Sequence, residues 1–425
     1  MRLIIEPKDS LLHEDVKIVA EDLEPNANYL FVMKMLHHVG TFYAKGVYNS
    51  GATGVIDLHV NQPIRGSYSG SNPQALFQVQ QRTDNVRPGQ YCTTSPPEPY
   101  IYELEIRDAV GEVVWTEKDI IKRWKHPAVT RTEIEVDEIR GTLFKPPGDG
   151  PFPSIIDISG TGGGLNEHKG AALASRGFCV FSLAFFQYKD LIKEMKHLDI
   201  NYFKKAIKWF VSLPFTSDRI GYQGVSFGGL LVHILAANCP EIIAVSSING
   251  SIVLDSVLSL KDGDKKFPCG ITDYKKVYYL NGHMCYDKAV KEIKFTSEAE
   301  IALENTAKDC AFRYTCALDD LSTPTVFVTN YYRERLKKLG RYVEVDMASG
   351  GHLMDPPCFP IHCTVYSKLI DSMQAYGGEP SLHGYSQYLV WERTIKFFKK
   401  FLGEPPEMPD YRQDMKANSS TSSKI

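Results

Sequence analysis

One pentapeptide constrains the fold of this chain more than any other feature. Residues 224–228 read GVSFG, a G-x-S-x-G motif, between a short apolar run at 219–223 and an apolar helical pattern at 228–238. A strand, a sharp turn and a helix in this order present a serine hydroxyl at the end of a sheet, near the positive end of the helix dipole. The motif therefore predicts that Ser226 is a nucleophile. The alternative is a tight turn whose serine only caps the helix.

The segments around this motif alternate between strand and helix patterns. Apolar runs typical of buried strands occur at residues 153–158, 178–183, 219–223, 242–248, 310–318 and 341–347. Patterns with helical spacing occur at residues 169–176, 198–213, 228–238, 329–340 and about 386–401. This alternation predicts a mostly parallel sheet with helices on both faces. A charged and aromatic segment, 263–302, predicts an inserted excursion. Residues 133–405 are thus predicted to form one α/β domain.

Residues 1–132 have a different pattern and predict a separate domain. Short alternating or apolar runs, such as 29–33, 54–60 and 100–106, are separated by turn residues, and no long amphipathic helix interrupts them. Short strands at this spacing are typical of a β-sandwich. The chain is therefore predicted to be multidomain, with a β domain followed by an α/β domain and a flexible tail at residues 406–425.

Composition argues against several classes of protein. A net charge of −3 argues against a surface built to bind nucleic acid, and 43% hydrophobic residues argue against disorder. No apolar run reaches the roughly 18 residues that cross a membrane, and the first nine residues do not resemble a signal peptide.

No metal is expected, because the nine cysteines include no C-x-x-C pair. The spacing of His352, Cys358, His362 and Cys363 also fits no usual zinc pattern.

A serine nucleophile needs a general base and an acid that orients the base. In this architecture both partners follow the serine along the chain, each after a later strand. Asp319 and Asp320 follow the strand predicted at 310–318, and His352 lies in a glycine-rich loop after the next strand. We predict that Asp320 and His352 are the partners of Ser226. The alternatives are Asp319 for the acid and His362 or His383 for the base.

A glycine-rich loop at residues 159–164, SGTGGG, follows the first strand of the α/β pattern. It is not a phosphate-binding loop, because no Lys-Ser/Thr pair follows and Leu165 stands where a dinucleotide fingerprint has its last glycine. Such a loop can instead hold an oxyanion with a backbone N–H, together with the N–H of the residue after the nucleophile. We predict an oxyanion hole formed by Thr161, Gly162 and Phe227; a flexible loop is the alternative.

Together these stretches resemble the type I acyl-CoA thioesterases, a family that includes bile acid-CoA:amino acid N-acyltransferases. The matching segments are residues 153–164, 224–229, 248–251, 319–320, 351–357 and 377–380. The resemblance implies an N-terminal β-sandwich followed by a C-terminal α/β-hydrolase domain, with a triad of Ser226, Asp320 and His352. It also implies hydrolysis of fatty acyl-CoA to free fatty acid and coenzyme A through an acyl-enzyme, with acyl-CoA as the substrate and no cofactor.

Two positions depart from the family pattern. Phe227 stands where the family often has lysine, and Ala317 stands where it often has glycine; neither change removes a triad residue. Members that transfer acyl groups to amino acids use cysteine as the nucleophile, so Ser226 favours hydrolysis. The alternatives are N-acyl transfer to an amine, a carboxylesterase or peptidase-like hydrolase, and a binding protein without activity. Residues 181–188 and 284–286 are candidates for an acyl pocket, with ordinary core as the alternative.

The last three residues, 423–425, read Ser-Lys-Ile and differ from the peroxisomal address S-K-L only at the final position. A receptor can read such an end when it lies on a flexible tail. We therefore expect a peroxisomal or cytoplasmic protein, with a peroxisomal import receptor as a partner in the first case.

Overall fold

The computed structural model describes residues 1–87, 89–368 and 370–413 of the chain. The N-terminal part consists mainly of strands, because its sequence alternates between side chains that face the core and side chains that face solvent. In Asn28–His37, for example, buried and less buried side chains alternate along most of the strand. The elements of this part are β1 (Arg2–Glu6), β2 (Asp9–Leu11), β3 (Lys17–Glu21), β4 (Asn28–His37), β5 (Gly40–Asn49), β6 (Ile56–Asp57), β7 (Arg65–Gly66), α1 (Ala75–Gln78), β8 (Gln81–Arg82), β9 (Tyr100–Arg107) and β10 (Val113–Arg123).

The N-terminal strands form two sheets. The smaller has the order β1-β3-β6, and the larger has the order β2-β10-β9-β4-β5-β7, with β8 also paired to β5. Buried side chains from both sheets, such as Ile18 on β3 and Phe31 on β4, belong to one continuous apolar core. This shared core holds the two sheets together.

The strand predicted at 54–60 is reduced to β6. The carboxylate of Asp57 accepts a hydrogen bond from the N–H of His59 at 2.9 Å, and the Asp57 carbonyl accepts from Val60 at 2.9 Å and Asn61 at 2.7 Å. These local bonds turn the chain out of the sheet, because an aspartate side chain can satisfy a nearby backbone N–H in a turn.

The rest of the chain alternates between strands and helices. Its strands are β11 (Thr130–Val136), β12 (Ile139–Lys145), β13 (Ser154–Ile158), β14 (Cys179–Ala184), β15 (Leu198–Asp199), β16 (Ile220–Val225), β17 (Ile242–Ile248), β18 (Leu260–Asp262), β19 (Lys265–Lys266), β20 (Tyr278–Leu280), β21 (His283–Cys285), β22 (Ala311–Ala317), β23 (Val343–Ala348), β24 (Thr364–Ser367) and β25 (Ser372–Ala375). Its α-helices are α2 (His168–Ala174), α3 (Ile200–Val211), α4 (Phe227–Ala236), α5 (Asp287–Lys291), α6 (Thr325–Lys338) and α7 (Pro380–Leu402). No helix in the described part is both long and apolar enough to cross a bilayer.

Eight strands of this part form a central sheet with the order β11-β12-β14-β13-β16-β17-β22-β23. Strand β12 runs antiparallel to both of its neighbours, and the pairs from β14 to β23 are parallel. Strands β14 and β16 are buried along their whole length, as expected for parallel strands covered on both faces. The carboxyl ends of β13, β16, β22 and β23 therefore meet at one edge, where their connecting loops lie close together.

Helix α7 begins earlier than the predicted residue 386. The side chain of Glu379 accepts hydrogen bonds from the N–H groups of Ser381 and the following residue, at 3.1 and 2.9 Å, and so caps the helix at Pro380. The glycine at position 384 lies inside the first turns, where it allows α7 to approach α1. A Cβ at Gly384 would lie only 2.3 Å from the carbonyl oxygen of Gln78.

The segment predicted as an excursion, 263–302, contains β19, β20, β21 and α5. Strands β20 and β21 join β25 and β24 in a four-stranded sheet. The insert contacts the loop after β22, because the N–H of Tyr286 donates to the carbonyl of Leu321 at 2.9 Å. It therefore lies at the edge of the central sheet that carries the strand ends.

The chain after α7 differs from the flexible tail predicted from residue 406. Tyr411 is buried and donates a hydrogen bond to the carboxylate of Asp9 at 3.1 Å. Arg412 donates two hydrogen bonds, of 2.9 and 3.0 Å, to the carboxylate of Glu14. These contacts hold residues 406–413 against the N-terminal part. Residues 414–425, with the C-terminal Ser-Lys-Ile, lie outside the described residues.

Candidate active site

Ser226 lies on the sharp turn between β16 and α4. Its torsion angles are φ 59° and ψ −121°, a conformation that costs a non-glycine residue about 1–3 kcal/mol. The turn needs glycine on both sides, since a Cβ on Gly224 would lie 2.4 Å from the backbone of Gly228. The Ser226 side chain makes no capping hydrogen bond to α4. This finding contradicts the alternative in which the serine only caps the helix.

The buried imidazole of His352 is paired with the carboxylate of Asp320. His352 Nδ1 lies 2.7 Å from Asp320 Oδ2, and the two side chains are 1% and 0% exposed. The other carboxylate oxygen accepts hydrogen bonds from the N–H groups of Ser322 and Thr323 at 2.7 and 2.8 Å. A carboxylate beside Nδ1 favours the tautomer with its proton there, which leaves Nε2 able to accept a proton. Within the described residues, His352 Nε2 is buried and has no hydrogen-bond partner.

Backbone contacts fix the loop that carries His352. The N–H of His352 donates to the carbonyl of Tyr376 at 2.8 Å, and the two rings lie 4.7 Å apart between their centroids. A Cβ on Gly351 would lie 2.3 Å from the carbonyl oxygen of Gly377. Glycine at position 351 therefore allows the loop to pass directly against the chain that leaves β25.

The alternative acid and bases have other contacts. Asp319 is exposed, and its carboxylate accepts a hydrogen bond from the N–H of Gly378 at 2.9 Å. The ring nitrogens of His362 lie 2.7 and 3.1 Å from two main-chain carbonyls. His383 accepts the N–H of Gly351 at its Nδ1, 3.1 Å away, and burial lowers its pKa to about 4. The described residues contain no group of three or more His, Cys, Asp or Glu side chains that could hold a metal ion.

Asn249 is a site residue that sequence reasoning did not identify. It follows β17, has φ 49°, and is almost fully buried. Its side-chain amide donates to the carbonyl of His352 at 2.7 Å, and its side-chain oxygen accepts the N–H of Ala317 at 2.9 Å. One amide thus joins the ends of β17 and β22 to the histidine loop. The sequence showed an Asn-Gly pair after a predicted strand, within the family-like segment 248–251, but neither feature indicated the contacts of this side chain.

The glycine-rich loop after β13 lies directly against the serine. A Cβ on Gly160 would lie 2.9 Å from the Cβ of Ser226, so only glycine fits there. Further along the loop, the N–H of Gly164 is taken by the carbonyl of Phe186 at 2.9 Å. No backbone carbonyl among the described residues takes the N–H of Thr161 or Gly162. Phe227 is the first residue of α4, where a backbone N–H has no partner within the helix.

Two cavities meet at the serine, and both are lined by Ser226 and Thr161. One, of about 310 Å³, we call the polar cavity after the polar residues in its lining, which include Ser159, Asn166, His168, Lys169 and Asp355; apolar residues such as Leu353, Phe359 and Val365 line it as well. The other, of about 440 Å³, we call the apolar cavity; its lining includes Leu230, Val253, Leu258, Tyr286, Val290 and Ile293.

Of the two segments considered for an acyl pocket, only 284–286 contributes to the apolar cavity, through Tyr286. Phe181, Phe185 and Phe186 pack in the core.

A buried ion pair lines the polar cavity. The ammonium of Lys169 lies 2.8 Å from Asp355 Oδ1, and His168 Nε2 lies 3.0 Å from the same oxygen. Burial alone would raise the pKa of Asp355, but Lys169 and His168 together lower it well below its ordinary value. Burial would likewise lower the pKa of Lys169, and the carboxylates of Asp355 and Asp157 raise it instead. Lys169 and Asp355 are therefore both charged.

The central sheet, the strained serine after its fifth strand and the buried histidine–aspartate pair define an α/β-hydrolase. Residues 13–136 match the family profile described as acyl-CoA thioester hydrolase/BAAT N-terminal region. Residues 198–404 match that described as BAAT/acyl-CoA thioester hydrolase C terminal. The chain belongs to the family of acyl-CoA thioester hydrolases and bile acid-CoA:amino acid N-acyltransferases.

Individual relatives agree with this membership. Acyl-coenzyme A thioesterase 1 of Rattus norvegicus is 30% identical over 370 residues, which cover 85% of this chain and 87% of the relative. Acyl-coenzyme A thioesterase 1 of Homo sapiens is 29% identical over 414 residues, covering 94% and 97%. Acyl-coenzyme A amino acid N-acyltransferase 2 of Rattus norvegicus is 27% identical over 426 residues, covering 95% and 98%.

Proposed function

We propose that this chain hydrolyses fatty acyl-CoA to free fatty acid and coenzyme A through an acyl-enzyme on Ser226. The observation that carries the proposal is the buried pair of His352 and Asp320, which leaves His352 Nε2 without a partner in the described part of the chain. The strained serine supports it, as does the meeting of a polar and an apolar cavity at that serine. The thioesterases among the relatives agree with it.

In the first half of the reaction, His352 Nε2 removes the proton of Ser226, and the serine oxygen attacks the thioester carbonyl. The backbone N–H groups of Phe227, Thr161 and Gly162 stabilise the oxyanion, an effect worth about 3 kcal/mol for each donor. The carbon–sulfur bond then breaks, and coenzyme A leaves with the proton from His352. A thiol, with a pKa of about 8.5, leaves more easily than an amine.

In the second half, His352 removes a proton from water, and the resulting hydroxide attacks the acyl-serine carbonyl. The ester bond breaks, Ser226 recovers its proton, and the fatty acid is released. Asp320 keeps the His352 ring oriented and stabilises the imidazolium formed in both halves. No step in this scheme needs a cofactor.

The apolar cavity is the proposed site of the acyl chain. It contacts the nucleophile and is lined by aliphatic side chains on α4 and on the insert that contains α5, including Leu230 and Val290. Removing an acyl chain from water is worth roughly 25 cal/mol for each Å² of apolar surface buried. A cavity of this kind therefore favours acyl groups that are long enough to fill it.

We also infer the domain organisation. The two N-terminal sheets share one core, which supports a β-sandwich at residues 1–132. The central sheet and its helices support an α/β-hydrolase domain at residues 133–405.

For the subcellular location, we propose the peroxisome or the cytoplasm. In the first case an import receptor binds the C-terminal residues 423–425. Removing residues 423–425 should then move the protein from peroxisomes to the cytosol, whereas a cytosolic distribution that is the same with and without these residues contradicts peroxisomal import.

The test of the proposed function is a panel of acyl-CoA esters from short to very long chains, with bile-acid thioesters included. Thiol release is followed with and without glycine or taurine, and the products are identified by mass spectrometry. We expect free acids in both cases. Amide products would instead favour the N-acyltransferase reaction, which the similarity to acyl-coenzyme A amino acid N-acyltransferase 2 makes the second candidate. Hydrolysis of simple esters alone, or no labelling by a fluorophosphonate, would contradict the proposal.

A further inference from the structure

The polar cavity is the part of the site that the proposed reaction has not yet used. A thioester carbonyl at Ser226 carries two arms, the acyl chain and the arm attached through sulfur. Ser226 and Thr161 line both cavities, so the two arms have separate directions in which to extend. If the acyl chain fills the apolar cavity, the sulfur side enters the polar cavity.

The lining of the polar cavity contains a cation with unused donors. The side chain of Lys169 is only 5% exposed, and its ammonium has one hydrogen-bond acceptor among the described residues, the Asp355 carboxylate at 2.8 Å. An ammonium has three N–H donors. Two of them therefore remain for a ligand, and leaving them unpaired in a buried position is unfavourable.

A second buried polar group in the same lining also lacks a partner. Ser159 is 7% exposed, and its hydroxyl has no hydrogen-bond partner in the part of the chain that the structure describes. Ser159 precedes the loop that lies against the nucleophile and belongs to the same cavity as Lys169. The Ser159 hydroxyl oxygen is itself fully buried in the wall of the cavity, so it can pair with a ligand only after its side chain turns toward the cavity, whereas Lys169 has spare donors as it stands.

The charge balance selects the kind of ligand. Lys169 and Asp355 form a buried pair of opposite charges, so a further anion beside them would leave an excess negative charge away from water. Lys368 also lines the cavity, but it is exposed, so an anion could pair with it only where the cavity opens to solvent. A neutral ligand with amide groups can accept from the ammonium and the hydroxyl without disturbing this balance. The arm of coenzyme A next to the sulfur, pantetheine, is neutral and carries two amides.

We propose that the polar cavity binds the amide-bearing pantetheine arm of coenzyme A, with Lys169 donating to an amide carbonyl and Ser159 pairing with an amide group of the same arm. This inference rests on the proposed thioesterase function. The nucleotide phosphates then lie beyond the cavity and do not contact the ion pair. In this assignment Asp355 is a positioning residue, because it holds the ammonium in the lining.

The test compares three thioesters of one acyl group, made with coenzyme A, with pantetheine and with ethanethiol. The value of kcat/KM is measured for the wild type, Lys169→Met and Ser159→Ala. We expect the ratio of kcat/KM for the pantetheine ester to kcat/KM for the ethanethiol ester to fall at least about tenfold in Lys169→Met, and about threefold or more in Ser159→Ala. The coenzyme A ester is expected to follow the pantetheine ester. Lys205→Met, which removes an exposed lysine on α3, is the matched control and should leave both ratios at the wild-type value.

The ratio of kcat/KM between two esters distinguishes a lost contact with the pantetheine arm from a loss of folded enzyme. A loss of folded enzyme reduces kcat/KM for all three esters by the same factor and leaves the ratio unchanged. The assignment would be overturned if Lys169→Met and Ser159→Ala reduced kcat/KM by the same factor for all three esters, so that the ratio of the pantetheine ester to the ethanethiol ester stayed at the wild-type value. An effect confined to the coenzyme A ester would also overturn it, since the phosphates would then be the ligand. If Lys169→Met does not fold, the Ser159→Ala ratio decides. A wild type that hydrolyses none of the thioesters refutes the proposed function itself, whereas one that hydrolyses ethanethiol and pantetheine esters equally well refutes only the cavity assignment.

Discussion

The side-chain amide of Asn249 donates a hydrogen bond to the carbonyl oxygen of His352 at 2.7 Å. The same side chain accepts the N–H of Ala317 at 2.9 Å, at the end of the strand that leads to Asp320. A single buried amide therefore ties the loop of the proposed base to the strand of the proposed acid. Its contacts are to backbone groups only, so it acts by position rather than by touching the substrate.

Replacing Asn249 with alanine is expected to lower kcat by about ten- to a hundredfold and to change KM little, because a small displacement of the base impairs proton transfer more than binding. Two buried backbone groups lose their partners, which costs about 1–3 kcal/mol each. The measurements are steady-state kinetics on an acyl-CoA and thermal unfolding. Asn238→Ala removes a similar amide bond at the far end of α4 and serves as the control. Equal kinetic effects in the two variants would argue against the positioning role.

The adjacent aspartates provide a matched pair of substitutions. Asp320→Asn replaces the carboxylate beside His352 Nδ1 and no longer favours the required tautomer, so kcat is expected to fall by roughly a thousand- to ten-thousandfold. Asp319→Asn changes an exposed carboxylate that contacts the backbone of Gly378, and a loss below about threefold is expected. Measuring kcat of both variants on one acyl-CoA shows which of the two aspartates orients His352. A greater loss in Asp319→Asn would reverse the assignment of the acid.

Val290 lines the apolar cavity and gives a test of the acyl site. Val290→Trp is expected to lower kcat/KM for palmitoyl-CoA at least about tenfold relative to a short acyl-CoA, because the indole occupies space that a long chain would fill and so removes apolar burial worth roughly 25 cal/mol for each Å². Val326→Trp introduces the same bulk at an exposed position on α6. A chain-length profile that is the same in both variants would exclude the apolar cavity as the acyl site.

The chain after α7 is expected to contribute to stability through residues 404–413. Removing residues 404–425 exposes the surface covered by Tyr411 and breaks the contacts of Arg412 with Glu14. Burial of one aromatic side chain is worth roughly 1.5–3 kcal/mol, so the melting temperature of this chain of 425 residues should fall by about 2–3 °C. Removing only residues 414–425 should leave it within about 1 °C of the full chain. Equal melting temperatures for both truncations would show that these contacts contribute little.

The α/β part of the fold could be predicted because its strands are buried on both faces and appear in the sequence as unbroken apolar runs. Strands β13 and β17 lie within one residue of the predicted runs. The early start of α7 and the packing of residues 406–413 could not be predicted, since the first segment contains Pro380 and Gly384 and the second contains prolines and charged residues, which locally indicate turns. In the structure they are fixed by distant contacts, such as that between Tyr411 and Asp9.

The position of Ser226 was evident from its motif, because a strained strand-to-helix turn needs glycines at fixed spacing. The choice between Asp319 and Asp320 was not evident, since neighbouring residues share one local pattern and only the path of the chain after β22 separates them. Asn249 was missed for a related reason. Its partners lie 68 and 103 residues away in the sequence, and both are main-chain groups that leave no trace in side-chain patterns.

The central claim is that Ser226 carries the acyl group. The most direct measurement is the rate of coenzyme A release from palmitoyl-CoA by the wild type and by Ser226→Ala, with thermal unfolding as a check on folding. The strained turn and the His352 Nε2, which has no partner among the described residues, predict at least a roughly thousandfold loss of kcat, with a melting temperature equal to or above that of the wild type. A folded Ser226→Ala that releases coenzyme A within about tenfold of the wild-type rate would contradict the account.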